Sequence, residues 1–448
     1  MTRSRTAALA LLALGIAAAN PAARADDRLA LADAVARALG GHPAVVAARA
    51  RSDEAQALLG EARADYRPQI TAALLATQYG EPMPVTPVHS FLPRNLPEFD
   101  ETLVQGGLQV GYTLFDWGAR RERVRQADAR LAATSSALSA TEQATAARVA
   151  AVFAAVLSRG RKLAAQDAQV GALTAELDRV AQRLAVGKAA EVDRLRAEAA
   201  LAGAEADRVR AATDLDNSER DLARLIGGDP EETRFGRLEP VAGPGADPPA
   251  REELTRRALD ASPAVGAARS EVAAAEAARA FARTGWYPKL RASGAWQELA
   301  ASELAFSSEW NVALSLGVNV WDGGATGERV ARAEAALDGA RALLGQAELD
   351  ARAEVDRALA VAAAARARTA ALARAEDRLG EVARIQKLLL EVGSGTQIDY
   401  LAAESDLAAT RAALAESVSA ELVARVDLAR ATGELSPAWL ATNLETVP

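Results

Sequence analysis

Two stretches of the chain place apolar residues at every second position; most of the remainder repeats at helical spacing. Leu108, Val110, Tyr112 and Leu114 alternate with Gln109, Gly111 and Thr113. Trp310, Val312, Leu314, Leu316, Val318 and Val320 alternate with Asn311, Ala313, Ser315, Gly317 and Asn319. A period of two sends one set of side chains to an apolar face and the other to a small, polar face, which predicts strands. Weaker runs at 70–79 and 290–299 lie upstream, so each strong strand is expected to form a hairpin with its neighbour, at about 67–117 and about 288–321. The first hairpin loop holds Pro82, Pro84, Pro87, Pro93 and Pro97 and is expected to be long and irregular.

The helical pattern is strongest after the first hairpin. Val149, Val156, Leu163, Val170, Leu177 and Leu184 recur every seven residues, and Val152, Leu173 and Val180 supply a second seam position. This is a coiled-coil register. Proline is absent from 119–229 and from 325–436. A helix over about 119–185 would reach on the order of 100 Å at the usual rise, and 325–391 predicts a second of equal length. Each ends at a Val-Gly pair, Val186-Gly187 or Val392-Gly393, where glycine suits the left-handed backbone of a helix end. A return helix then completes each hairpin, at about 119–227 and 325–433.

The halves match because the chain is duplicated. Ala38-Leu39-Gly40-Gly41-His42-Pro43-Ala44-Val45 reappears 220 positions on as Ala258-Leu259-Asp260-Ala261-Ser262-Pro263-Ala264-Val265. Phe115-Asp116-Trp117-Gly118 maps 206 positions on to Trp321-Asp322-Gly323-Gly324, as do Val186-Gly187 to Val392-Gly393 and Asp193 to Asp399. The drop in the shift is the shorter second hairpin loop. A unit of this length is not a short solenoid repeat. The expected organisation is a first repeat at 26–227, a Gly- and Pro-rich linker or equatorial segment at 228–250, a second repeat at 251–435 and a tail at 436–448.

Composition decides which environment the strands face. Of 18 aromatic residues, 14 fall in 66–117 and 281–321, crowding the strand ends. That favours a lipid-facing barrel with interfacial girdles over a sheet wetted on one side. Four strands cannot close a barrel around a channel, so this reading needs several copies of the chain. Residues 1–25 read as an export signal: Arg3 and Arg5, an apolar run at 7–19, and Ala23-Arg24-Ala25 as the cleavage site. There is no cysteine, hence no disulfide, thiolate metal site or lipid-carrying N-terminal cysteine. A net charge of −8, more negative once the leader is removed, argues against nucleic acid.

Candidate chemistry is sparse. Asp322-Gly323-Gly324-Ala325-Thr326-Gly327 imitates a phosphate loop, but its counterpart has Trp117 and Arg121 where glycines belong, so a strand-to-helix exit turn is expected. His42 and His89 have no companion ligands; His42 reads as a loop or cap residue. No catalytic constellation, metal site or cofactor site is expected, and the chain does not read as an enzyme. Two readings fit Asp193 and Asp399, each six residues after its Val-Gly turn. One is a favourable charge at a helix N-terminus. The other is a carboxylate ring about a symmetry axis, setting cation preference and a narrow gate.

Taken in order and twice, the segments "ALGGHPAVVAAR" and "ALDASPAVGAAR", "EARADYRPQI" and "RTGWYPKL", "YTLFDWG" and "NVWDGG", and "LAVGKAAEVDRLRAEAAL" and "LEVGSGTQIDYLAAESDL" resemble the TolC-like outer membrane efflux proteins over nearly the whole mature chain. The resemblance implies a mostly α fold with a β-barrel part. Three chains would give four strands each to a twelve-stranded barrel in outer-membrane lipid, and antiparallel coiled-coil helices to a long periplasmic tunnel. It implies an inner-membrane pump and a periplasmic adaptor as partners, the adaptor docking at Val186, Gly187, Val392 and Gly393, with Asp399 at a gate position. Glu391, Gly395 and Ala402 stand where the best-known members carry tyrosine, arginine and a second aspartate, so that closed-state latch is not reproduced. A soluble periplasmic coiled-coil scaffold or adaptor would also explain helices and leader, but leaves the aromatic strand pairs unexplained.

Overall fold

The computed structural model describes residues 28–84, 99–231, 235, 237–238, 248–301 and 306–444. The expected export signal and His89 lie outside them. In chain order the elements are β1 (Arg28–Leu29), α1 (Leu31–Gly41), α2 (Pro43–Ala64), β2 (Gln69–Pro84), β3 (Phe99–Phe115), α3 (Ala119–Ala185) and α4 (Glu191–Leu225). Then follow β4 (Arg237–Leu238), α5 (Arg251–Ala261), α6 (Pro263–Arg283), β5 (Lys289–Ala300), β6 (Phe306–Gly317), α7 (Ala325–Glu391), α8 (Gln397–Ala431) and α9 (Pro437–Leu444).

The duplication is written into element lengths. Helices α3 and α7 have 67 residues each, and α4 and α8 have 35 each. With no proline to remove a donor, each long helix continues until a glycine turns the chain: Gly187 at φ 73° and Gly393 at φ 79°. The α3–α4 turn closes with Gly187 N–H donating to Leu184 O and Lys188 N–H to Arg183 O, satisfying carbonyls that the helix end would leave open. Burial repeats as well. Val149 and Val355, 206 apart, are both inaccessible, as are Ala38 and Ala258, 220 apart.

The main core sits at the waist of the helices rather than in the sheet. Helix α1, the middle of α3, the ends of α4 and α8, and α9 converge on Phe153, Val149, Leu31, Leu222, Val426, Leu440 and Leu444. Two short strands, β1 and β4, pair in parallel beside it. Helix α9 forms where the sequence suggested a tail. Ser436 accepts from Trp439 N–H at 3.1 Å and Pro437 opens the helix, so a cap and an N-terminal proline define its start.

The four long strands form one antiparallel sheet in the order β2-β3-β5-β6. Each hairpin's first strand starts just after a proline, Pro68 or Pro288, which stops the preceding helix. The ladder between β5 and β6 begins at Lys289 opposite Gly317. The alternating residues 318–320 therefore lie past the last pairing and are not strand, shorter than the sequence pattern suggested. Strand β2 instead runs farther than expected: a register shift between Gln78 and Met83 carries it to Pro84. Pro82 falls within that shift and Pro84 at the strand's last pair with Phe99, positions where a missing donor is tolerated.

Candidate functional site

The strand register sorts the sheet into two unlike faces. On one, Ile70 stands opposite Val110, Ala72 opposite Leu108, Leu108 opposite Trp296, Trp296 opposite Trp310, Gly294 opposite Val312, and Ala292 opposite Leu314. These side chains have no cover among the described residues: Leu74 is 80% and Val312 76% exposed. The other face carries Gln69, Thr71, Gln105, Gln109, Thr113, Arg291, Ser293, Asn311 and Ser315.

The apolar face has limits. At its helical end lie Phe115, Trp117 and Tyr287, with Trp117 stacked on Tyr287 at 5.2 Å and edge-on to Phe115 at 5.1 Å. At its other end the Trp296–Trp310 pair spans β5 and β6, with Trp296 Nε1–H donating to Ser308 Oγ at 3.0 Å. Tyr287 to Trp296 is nine residues, about 30 Å along a strand. Tilted by about 40°, as membrane strands are, that becomes a band about 23 Å tall, close to the apolar band of outer-membrane barrels. Beyond the tryptophans the same face turns polar, with Glu298 opposite Ser308 and Gln78 opposite Thr102.

The exit turns from sheet to helix are capped by carboxylates. Asp116 accepts from Gly118 N–H and from Arg120 N–H and Nε–H. Asp322 accepts from Thr326 N–H at 2.9 Å and from its hydroxyl at 2.6 Å. The Thr326 hydroxyl bond holds the Asp322 carboxyl below the usual carboxylate range, with the Thr326 amide and Arg329 adding to it. An anionic side chain already occupies the helix N-terminus a phosphate would need, as expected for an exit turn. His42 caps α2, its Nδ1 accepting from Ala44 N–H at 3.3 Å.

At the far end, the Val-Gly turns present Val186 and Val392 to solvent, the latter 75% exposed. Asp193 and Asp399 each occupy the third position of a return helix. Asp193 accepts from Ala190 N–H at 3.3 Å and pairs with Arg196 at 3.7 Å. Asp399 accepts from the Thr396 hydroxyl at 2.6 Å, while Thr396 Oγ1 accepts from Asp399 N–H. Both aspartates thus stabilise their own turns, and no bond joins the two among the described residues. Gly395 has no room for a side chain: a Cβ would lie 2.9 Å from Leu389 Cβ and 3.1 Å from Leu390 N. An arginine there would require a rebuilt turn.

Sequence reasoning missed Tyr400. It is buried on α8 one helical turn behind the tip. Burial pushes its hydroxyl above the usual tyrosine range, with Glu404 and Glu176 of α3 adding to the shift. Glu176 is itself buried and paired with Arg179. The available signal was that Tyr400 is the one aromatic between the tip turn and the end of α8.

Among the described residues no helix is long and apolar enough to cross a membrane, and no cluster of three His, Cys, Asp or Glu could hold a metal. The sheet instead exposes an apolar face about as tall as the apolar band of a barrel wall. A duplicated chain with such a sheet at one end of two helical hairpins defines a class, the channel proteins of the outer membrane. The chain belongs to the outer membrane efflux protein family, whose model matches residues 34–228 and 254–434. Protein CyaE of Bordetella pertussis is 29% identical over 400 residues, covering 87% of this chain and 81% of that protein. Outer membrane efflux protein BepC of Brucella suis is 24% identical over 382 residues, covering 84% and 79%. The outer membrane protein VceC of Vibrio cholerae shares the fold with a TM-score of 0.74 at 20% identity, covering 90% of this chain and 96% of that one.

Proposed function

We propose that three copies of this chain close one barrel through the outer membrane and one helical tunnel through the periplasm, forming the passive exit duct of a tripartite efflux pump or a type I secretion system. The observation that carries this is the open sheet. Strands β2 and β6 each leave one edge unpaired beside an apolar face, and in hydrocarbon every unpaired N–H and C=O costs several kcal/mol. Closure with neighbouring copies removes both edges. The half-buried seam residues Leu163, Val170, Leu177 and Leu184 would finish their burial against adjacent helices.

In this assembly the tips point toward an inner-membrane pump. An adaptor engages Val186, Gly187, Val392 and Gly393, and Asp399, with Asp193, rings the aperture. The duct carries out no bond chemistry and needs no cofactor; the tips open by small sliding of their coiled coils. The purified protein should conduct in planar bilayers with a preference for cations. Asp399→Ala should lower that preference severalfold, because the carboxylate ring concentrates cations at the narrowest point. Asp399→Asn separates the two roles, since it keeps an oxygen for the Thr396 hydroxyl and removes only charge. Unchanged ion selectivity in both variants would take Asp399 out of the gate.

A further inference from the structure

A cavity of about 470 Å³ lies where the sheet meets the helices. Gln69, Thr113, Lys289, Arg291, Ser293 and Ser315 in its lining come from the polar face. Arg291 stands opposite Thr113 on one neighbour and Ser315 on the other, and Lys289 opens the same strand one row nearer the helices. Arg67 lines the cavity just before β2. Neither Arg67, Lys289 nor Arg291 has an ion-pair partner among the described residues. The two carboxylates in the lining are already engaged, Asp65 by Arg123 and Asp116 by Arg120. Arg120 adds an unmet donor: its Nη1 is buried without a hydrogen-bond acceptor.

We propose that this cavity binds oxyanions dissolved in the duct, so that carboxylate- or phosphate-bearing solutes are held at a cationic collar before entering the barrel. The proposal rests on the duct reading above, because the polar face lines a lumen only in the closed assembly. Hydroxyls of Thr113, Ser293 and Ser315 beside the free cations match an acceptor-rich group with several oxygens. The apolar band occupies the opposite face, so lipid phosphates are on the wrong side of the wall. The nearest acid up the polar face of β6, Glu309, pairs with Gln297, six residues beyond Arg291. That is about 20 Å along the strand, more than twice the screening length of about 8 Å in physiological salt. Glu309 therefore does not neutralise the collar.

The test uses the full-length protein in planar bilayers of zwitterionic phospholipid, with inorganic tripolyphosphate added on the side that the hairpin loops face. The wild type should be blocked at a concentration on the order of tenfold lower than the Arg67→Gln/Lys289→Gln/Arg291→Gln variant needs, the size of effect expected from focused charge in a cleft. Wild-type current that ignores tripolyphosphate overturns the proposal without reference to any variant, and so does equal block of the two proteins. Block relieved by adding an anionic phospholipid would mean the cavity takes lipid phosphates, which overturns the dissolved source. Absence of any conductance removes the duct reading and this proposal with it; conductance without anion sensitivity removes this proposal alone.

Discussion

Replacing Phe153 by alanine should cost the folded chain about 3–5 kcal/mol, the range for emptying a buried aromatic site. Phe153 is 0% exposed and lies where α1, α3, α4, α8 and α9 meet, so its loss leaves a cavity that no single helix can shift to fill. The elements around it come from both ends of the sequence, and the cavity loosens the waist as a unit. Denaturant unfolding of the detergent-solubilised protein, followed by far-ultraviolet circular dichroism, should show the drop. A loss under about 1 kcal/mol would mean that the waist core repacks freely, unlike closely packed interiors.

Arginine in place of Leu314 should cost about 2–4 kcal/mol, the penalty measured for a cation on the lipid face near the midplane of a barrel. Leu314 faces Ala292, halfway between the Tyr287 and Trp296 rows, and is exposed. Asn311→Arg, one face over on the same strand, should stay within about 0.5 kcal/mol, as exposed substitutions usually do. The pair of variants compares faces rather than residue types. Equal cost for both, read from refolding into lipid vesicles, would show that the apolar face does not meet hydrocarbon.

The helices were the most legible part of the sequence. An uninterrupted heptad pattern ended by Val-Gly leaves little freedom, and α3 and α7 end at Ala185 and Glu391, the residues before those pairs. Strand existence was equally plain from alternation, but strand ends were not. The pattern at 318–320 continues past the last partner, and β2 keeps pairing to Pro84 because its two prolines fall at a register shift and at the last pair of the ladder. Helix α9 carried a readable start in Ser436-Pro437, outweighed by its shortness and terminal place. The duplication itself disposed of the phosphate-loop imitation, and the capped turns at Asp116 and Asp322 give the reason.

What stayed illegible depends on contacts between distant segments. Tyr400 is buried partly by α3, more than two hundred residues upstream, and no local pattern announces that. The collar combines Arg67 with Lys289 and Arg291, brought together only when β2, β3 and β5 pair. Asp193 and Asp399 were visible as candidates from the repeat, and their bonds within single turns account for a structural role. Their arrangement about an axis is a property of the assembly, which one chain's sequence does not encode at any single position.

Both the duct and its collar depend on lateral closure of the four-stranded sheet by further copies. Light scattering on the protein extracted from membranes gives the protein mass of the particle apart from its detergent. Three chains per particle, extracted only with detergent, is the result expected if β2 of one copy pairs with β6 of the next. A single chain per particle, staying dissolved after the detergent is removed, would contradict it.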